Sequence, residues 1–274
     1  MKKERLDILL VQSGFYSSRE KAKAAIMAGL ILVNGEKIDK PGTLVPVDST
    51  LKKTGNDLPF VSRGGLKLQK ALQVFPINLN DKIILDVGSS TGGFTHCALL
   101  NGAAKVFAVD VGYGQLAWQL RQDPRVISLE RTNVRFLSPD NLGMKADIST
   151  IDVSFISLSK VFPTVKNCLK ENGQIIALIK PQFEAGKEKV GKKGVVKDPT
   201  VHQEVILNVI REAQAQSMYV AGLTFSPITG SEGNIEYLIW LKCEGLDHID
   251  LKKLVVDTVI EAHTKHRKKI ADNE

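Results

Sequence analysis

The stretch "ILDVGSSTGGFT", Ile84 to Thr95, concentrates residue types that bind nucleotides. It reads as an apolar strand, a glycine-rich turn and the start of a helix. Such turns let backbone approach a ligand, and the helix N-terminus offers free N–H groups. The dinucleotide fingerprint is G-x-G-x-x-G. Here the register is Gly88, Ser90, Gly93, with serine where a pyrophosphate needs glycine. No Gly-Lys-Ser/Thr follows, which excludes a Walker phosphate loop. Asp86 ends the strand beside the turn, and Asp110 ends the next apolar strand, 24 residues later. An acid at that second position accepts hydrogen bonds from a ribose diol. An acid as close to the turn as Asp86 suits a cation better than a phosphate. S-adenosylmethionine has a ribose, an adenine, an ammonium and a sulfonium, and no phosphate. It is the cofactor these residues imply, helix capping by the two acids being the competing reading. The binding set is Asp86, Gly88, Ser89, Thr91, Gly92, Gly93, Phe94 and Asp110. Asn133, after a short third strand, either reaches the adenine edge or is an ordinary loop residue.

A sulfonium cofactor implies methyl transfer, which needs a positioned nucleophile and a group to take its proton. A base N-methyltransferase would show Asn/Asp-Pro-Pro-aromatic after the fourth strand. The chain has Asp152-Val153-Ser154-Phe155, without either proline. A cytosine C5 enzyme would need a cysteine, usually after proline, and none of Cys97, Cys168 and Cys243 follows one. Lys180 closes the apolar strand "IIALIK" before Pro181. It points at the cleft or snorkels at the sheet edge. Lys67 lies in "SRGGLKLQKAL" before the first strand. Glu236 opens the last strand in "GNIEYLIWL", facing the cleft or outward.

These residues need a scaffold. Beyond residue 61 the chain alternates strand and helix. Strands are expected at 82–87, 105–110, 126–129, 147–153, 173–180, 218–226 and 235–242. Helices are expected at 63–75, 92–101, 114–121, 158–169, 199–215 and 247–270. That alternation predicts an α/β domain built on a mostly parallel, doubly covered sheet. The first sixty residues differ. "RLDILLVQSG" is a short amphipathic helix. "SSREKAKAAIMAG" opens with a capping box from Ser17 to Glu20. "LILVNGEKI" is a hairpin turning at Asn34-Gly35, and "LVPVDSTLKK" is a further strand. A polar linker, "TGNDLPF", follows at about 55–61. Arg5, Arg19, Lys21 and Lys23 put positive charge on or near the two helices. Taken alone, such a cluster reads as a solvated surface.

The order of elements in "RLDILLVQSGFYSSREKAKAAIMAGLILVNGEKI" resembles the S4 RNA-binding domain. That resemblance implies that Arg5, Arg19, Lys21 and Lys23 face structured RNA. Lys67, Asp152, Lys180 and Glu236 resemble the Lys-Asp-Lys-Glu tetrad of FtsJ-like RNA 2′-O-methyltransferases. An S4 domain ahead of such a domain is similar to the TlyA family, which also carries the hemolysin A label. The motifs "VSRGGLKL", "LDVGSSTGGFT", "VDVGYGQL", "DVSFISL", "LIKPQFE" and "GNIEYLIWL" span nearly the whole chain in order. The resemblance implies an S4-like RNA-binding domain over 1–60 and a Rossmann-like, seven-stranded methyltransferase domain over 61–274. It also implies an activity on ribose 2′-hydroxyls, at cytidine, in ribosomal RNA or ribosomal subunits. In such a site Lys180 would be the base, with Lys67 and burial favouring its neutral form and Asp152 pulling the other way. Asp152 would orient it, and Glu236 would balance Lys67.

Bulk properties agree. A net charge of +7 over 274 residues, with a pI of about 9.2, suits either a polyanionic partner or a cytoplasmic enzyme that happens to be basic. Three widely spaced cysteines without a CxxC suit a reducing cytoplasm and argue against a zinc site. The N-terminus lacks a signal-peptide core, and no apolar run is long enough to span a bilayer. A membrane-active cytolysin is therefore disfavoured. A non-enzymatic RNA-binding factor would need neither the tetrad nor the cofactor turn. The glycine-punctuated, lysine-rich segment 184–199 is either a basic lid over RNA and cofactor or a surface loop. The tail "HTKHRKK" reads as a solvated helix end.

Overall fold

The computed structural model describes residues 2–271 apart from 56–57, 231 and 246–248, and only the backbone from 267 onward. Part of the expected linker and the expected start of the last helix at 247 therefore lie outside the described residues.

The first fifty-three residues hold β1 (Lys3–Arg5), α1 (Leu6–Gln12), α2 (Arg19–Met27), β2 (Ile31–Val33), β3 (Glu36–Lys37), β4 (Leu44–Pro46) and β5 (Leu51–Lys53). Leu6, Leu9 and Leu10 of α1 meet Ala22, Ala25 and Ile26 of α2 over Ile31, Val33 and Val45. The i, i+3, i+4 spacing puts each set on one helical face. The hairpin turns at Asn34 (φ 53°) and Gly35 (φ 87°), the left-handed pair a two-residue turn requires. Two expectations are corrected. Ser18, not Ser17, caps α2, accepting from the Lys21 N–H, so there is no box with Glu20. "LVPVDSTLKK" is two strands in separate sheets: β4 pairs with β1, and β5 with β2. The polar Asp48-Ser49-Thr50 turn breaks the run.

The larger part begins with α3 (Gly64–Val74), then β6 (Ile83–Val87), α4 (Gly93–Leu100), β7 (Lys105–Val109), α5 (Trp118–Arg121), β8 (Val126–Leu129), α6 (Pro139–Leu142) and β9 (Ala146–Ile151). It continues with α7 (Phe162–Cys168), β10 (Leu169–Ile179), α8 (Pro181–Glu184), α9 (Pro199–Ala215), β11 (Tyr219–Phe225), β12 (Tyr237–Lys242) and α10 (Leu251–Ala271). The seven strands lie in the order β11-β12-β10-β9-β6-β7-β8. All neighbours pair parallel except β12, which runs antiparallel to both β10 and β11. This is a Rossmann-like sheet of the S-adenosylmethionine methyltransferase type.

Both faces of the sheet are covered, and side chains alternate between them with period two. Leu85, Phe107, Ala177 and Ile239 point into the layer of α7, α9 and α10. Ile84, Val106, Ile176 and Leu238 point into the layer of α3 and α4. Continuous apolar runs such as "IIALI" fit this double burial. The expected helix at 114–121 shrinks to α5, because Gly114, at φ 71°, takes the chain out of helical geometry before Trp118.

Candidate active site

The sheet puts its chemistry at one end. Asp152 follows β9, Lys180 follows β10, and Glu236 precedes β12, which runs the opposite way. All three therefore emerge on the same edge, above the turn that follows β6. Register fixes their spacing: Ile151 lies opposite Ala177, and Ile179 opposite Tyr237. Lys67 comes from the first turn of α3, on the boundary of the face that buries Leu68 and Ala71.

The four side chains form one chain of ion pairs. Lys180 Nζ lies 2.6 Å from Asp152 Oδ1, Lys67 Nζ 3.4 Å from Asp152 Oδ2, and Lys67 Nζ 2.7 Å from Glu236 Oε2. Asp152 thus sits between two lysines, and Lys67 between two carboxylates. Charge balances within the set, as nearly buried ions require. Burial alone would raise the Asp152 carboxyl, but Lys67 and Lys180 outweigh it and hold it below the usual range. Burial alone would lower the Lys67 ammonium, but Asp152 and Glu236 outweigh that and keep it a firm cation. Ser154 accepts a 3.0 Å hydrogen bond from Lys180 Nζ.

The tetrad opens into a cleft of about 660 Å³, also lined by Gly88, Ser89, Ser90, Thr91, Gly93 and Phe94 of the turn. That volume suits a nucleoside-sized ligand. The glycines of the turn prove to be packing devices. A Cβ on Gly88 (φ +81°) would come within 2.4 Å of the Asp152 carbonyl oxygen. A Cβ on Gly93 would lie 2.4 Å from Ser62 Oγ and 2.7 Å from the Gly65 nitrogen. These positions let the strand bearing Asp152 and the helix bearing Lys67 close on the turn. Asp110 ties the turn to the loop after β7, accepting from the Ser90 N–H at 2.8 Å and the Gly112 N–H at 2.7 Å.

Two sequence readings need correction. Asp86 does not face the cleft. The alternation that sends Ile84 toward α3 and α4 sends Asp86 the same way, where it is fully buried. There it accepts from Thr95 Oγ1 of α4 at 2.6 Å and from Thr150 Oγ1, its in-register neighbour on β9, at 2.9 Å. Burial pushes its carboxyl up to about 6, although both hydroxyls pull it down. Asn133 uses its side-chain oxygen to cap the turn Val134–Phe136, accepting from the Arg135 N–H, and does not line the cleft.

Sequence reasoning missed several residues of the site. Phe155, 90% exposed and at φ +63°, and Phe183 hold their rings 4.9 Å apart beside Lys180. An exposed aromatic in a left-handed backbone conformation is a signal that only coordinates reveal. Asn234 grips segment 184–199: its Oδ1 accepts from the Val196 N–H at 3.0 Å, and its Nδ2 donates to the Gly194 carbonyl at 2.8 Å. Gly194 thereby joins the cleft wall, so this segment is anchored at its C-terminal end. On the N-terminal unit, Lys21 and Lys23 line a second groove, against 114–121, whereas Arg5 and Arg19 both bond to Asp7.

A family model, FtsJ-like methyltransferase, matches residues 60–243, and an S4 domain model matches residues 4–51. The chain belongs to the FtsJ-like methyltransferase family. YqxC of Bacillus subtilis, provisionally named an rRNA methyltransferase, is 52% identical, with 99% of this chain and 98% of that one covered. A 16S/23S rRNA (cytidine-2′-O)-methyltransferase, TlyA of Mycobacterium tuberculosis, is 44% identical over 89% of this chain and 91% of its own. A solved structure from Streptococcus thermophilus, provisionally named a hemolysin, is 44% identical, superposes with a TM-score of 0.80 and is matched over 99% of both chains.

As an FtsJ-like methyltransferase the protein draws its methyl group from S-adenosylmethionine. The donor set fits. No basic side chain lies on the turn from 84 to 95, Asp110 holds the Ser90 end of that turn, and the tetrad lines the same cleft. Among the described residues no group of His, Cys, Asp and Glu could hold a metal, and no helix is long and apolar enough to cross a membrane.

Proposed function

We propose that the protein methylates a ribose 2′-hydroxyl of ribosomal RNA, at cytidine, with two units meeting near residue 60. The N-terminal unit would engage RNA, and residues 61–274 would carry out the transfer. The observation that carries this reading is the continuous ion-pair chain Lys180–Asp152–Lys67–Glu236 at the mouth of the cofactor cleft. The name of the M. tuberculosis relative supports the substrate class. Absence of Asn/Asp-Pro-Pro-aromatic chemistry at 152–155 supports a hydroxyl over a base nitrogen.

S-adenosylmethionine supplies a methyl group on a sulfonium. This chain's residues place the nucleophile and take its proton. Lys180, reacting as the neutral amine after giving its own proton to solvent and held by Asp152 and Ser154, would accept the 2′-hydroxyl proton as the methyl passes from sulfur to that oxygen and leaves a neutral thioether. Lys67, fixed as a cation between Asp152 and Glu236, steadies the negative charge gathering on that oxygen. Gly88, Ser89, Thr91, Gly92, Gly93, Phe94 and Asp110 form or brace the cofactor side, and Asp86 braces α4 from behind. Phe155 and Phe183 offer an apolar wall where the base belonging to the target ribose can rest.

The test is transfer of labelled methyl groups to ribosomal subunits lacking the modification. The reading expects label in RNA, resistant to alkaline cleavage at one cytidine. Label released with a modified base, or label absent despite cofactor binding, would overturn it.

A further inference from the structure

Asp7 is fully buried in the first turn of α1, on a face otherwise made of leucines. A buried carboxylate survives there only if it is paired and hydrogen-bonded. Its partners are unusual for so small a core. Arg5 binds it with two bonds, Nε to Oδ1 at 3.0 Å and Nη2 to Oδ2 at 3.1 Å. Arg19, from the start of α2, donates Nη2 to the same Oδ2 at 2.9 Å. The Ile8 N–H takes a further site on Oδ1 at 3.1 Å. With four bonds the carboxylate is saturated.

We infer that Asp7 is a positioning residue that holds the Arg5 and Arg19 guanidiniums together as one phosphate-binding site on the RNA face of the N-terminal unit. The inference rests on the RNA-binding reading of that unit and goes beyond it, because it assigns a role to an acid.

Geometry carries the argument. Both Nη2 atoms contact one oxygen, so they are no further apart than about 6 Å, the two bond lengths end to end. Two donors at that separation can reach different oxygens of one phosphate through charge-assisted bonds of about 2.7–2.9 Å. The arginine side chains remain 43% and 47% exposed while Asp7 is wholly covered. One carboxylate against two guanidiniums leaves a single positive charge, which a phosphodiester neutralises. Arginine is a long, flexible side chain, and fixing its fork beforehand removes an ordering cost at binding. Burial would raise the Asp7 carboxyl, yet the two arginines hold it below the usual range, so the anchor stays ionised at neutral pH.

Asp7→Asn separates this from simple electrostatics by sign. Removing a negative charge near polyanionic RNA should tighten binding. Loss of the anchor should weaken it, by about fivefold, through freed arginines. Asp39→Asn, at an exposed site of the same unit, makes the same charge change without touching the arginines. Affinity for a labelled RNA hairpin of mixed sequence would be measured for the full chain. S-adenosylmethionine affinity and hydrogen-exchange protection of α1 and α2 serve as fold controls.

The expected result is weaker binding for Asp7→Asn, unchanged or tighter binding for Asp39→Asn, and no further loss when Asp7→Asn is added to Arg5→Ala/Arg19→Ala. Tighter binding by Asp7→Asn, or a full additional loss in the arginine-less background, would overturn the positioning role. Should Asp7→Asn lose exchange protection, Asp7→Glu, which keeps the charge but moves it one methylene, takes its place under the same criteria. If Arg5→Ala/Arg19→Ala binds RNA as well as the native chain, the RNA-binding reading of this face fails instead.

Discussion

Asp86→Asn should change how stability depends on pH, and the size of the change follows from where the side chain lies. The native carboxyl is fully buried, and its pKa rises from 3.8 to about 6. A group whose native pKa is raised binds its proton more tightly in the folded state. Its stabilising contribution is complete below the unfolded pKa and is lost as pH rises through the native one. The shift of roughly two pKa units corresponds to about 3 kcal/mol at 1.36 kcal/mol per unit. Linkage places about 2 kcal/mol of it between pH 4.5 and pH 7.5. Asparagine cannot ionise, so the variant escapes this loss. It keeps an oxygen for one of the two threonine hydroxyls, Thr95 and Thr150. Urea unfolding, followed by fluorescence of Trp118 and Trp240, would be run on both proteins across that range. The stability difference should move by about 2 kcal/mol in the variant's favour from pH 4.5 to 7.5. A flat difference, or one that moves toward the native protein as pH rises, would refute the placement of Asp86 behind the sheet.

Three further outcomes follow from the site. Gly88→Ala puts a Cβ 2.4 Å from the Asp152 carbonyl and strains a left-handed backbone, so it should cost about 2 kcal/mol in denaturant unfolding and lower turnover with it. Asp152→Asn leaves Lys67 and Lys180 short of a counter-charge and should destabilise by about 2 kcal/mol at neutral pH. Because the native Asp152 pKa is depressed, that penalty should shrink as pH falls through the native pKa, which urea titrations in acid would detect. Phe155→Ala removes an exposed ring that packs on Phe183 and should raise KM for ribosomal subunits while leaving S-adenosylmethionine affinity unchanged in equilibrium binding.

The catalytic scaffold was largely legible in the sequence, because doubly buried strands write themselves as uninterrupted apolar runs. "IILDV", "KVFAV" and "YLIWL" stand where β6, β7 and β12 lie, and the acids and lysines follow or precede those runs directly. Strand order then places Asp152, Lys180 and Glu236 on one edge, which is why four residues spread over 170 positions meet. Local errors arose where one residue decides. Ser17 and Ser18 are both good caps, and only backbone geometry selects Ser18. Asp86 looked cleft-facing because it neighbours the turn, but strand alternation turns it inward, and Val87 is the residue that meets the turn. Asn133 looked like a ligand contact and serves its own backbone. Phe155 could not be found from pattern, since its exposure and positive φ depend on how "DVSF" leaves the sheet. Nor could pairing of Asp7 with two arginines, one of them twelve residues away, be read from helix periodicity.

The most direct test is single-turnover methyl transfer to unmodified ribosomal subunits by the native protein and by Lys180→Ala, with S-adenosylmethionine affinity measured on the same preparations. Positioned general-base catalysis is worth about 10²–10⁴ in rate. The account predicts a loss of that size in the variant, with cofactor affinity unchanged because Lys180 lies on the tetrad side of the cleft. A Lys180→Ala protein that binds the cofactor and transfers methyl at the native rate would contradict the assignment of this ion-pair chain as the machinery of the reaction.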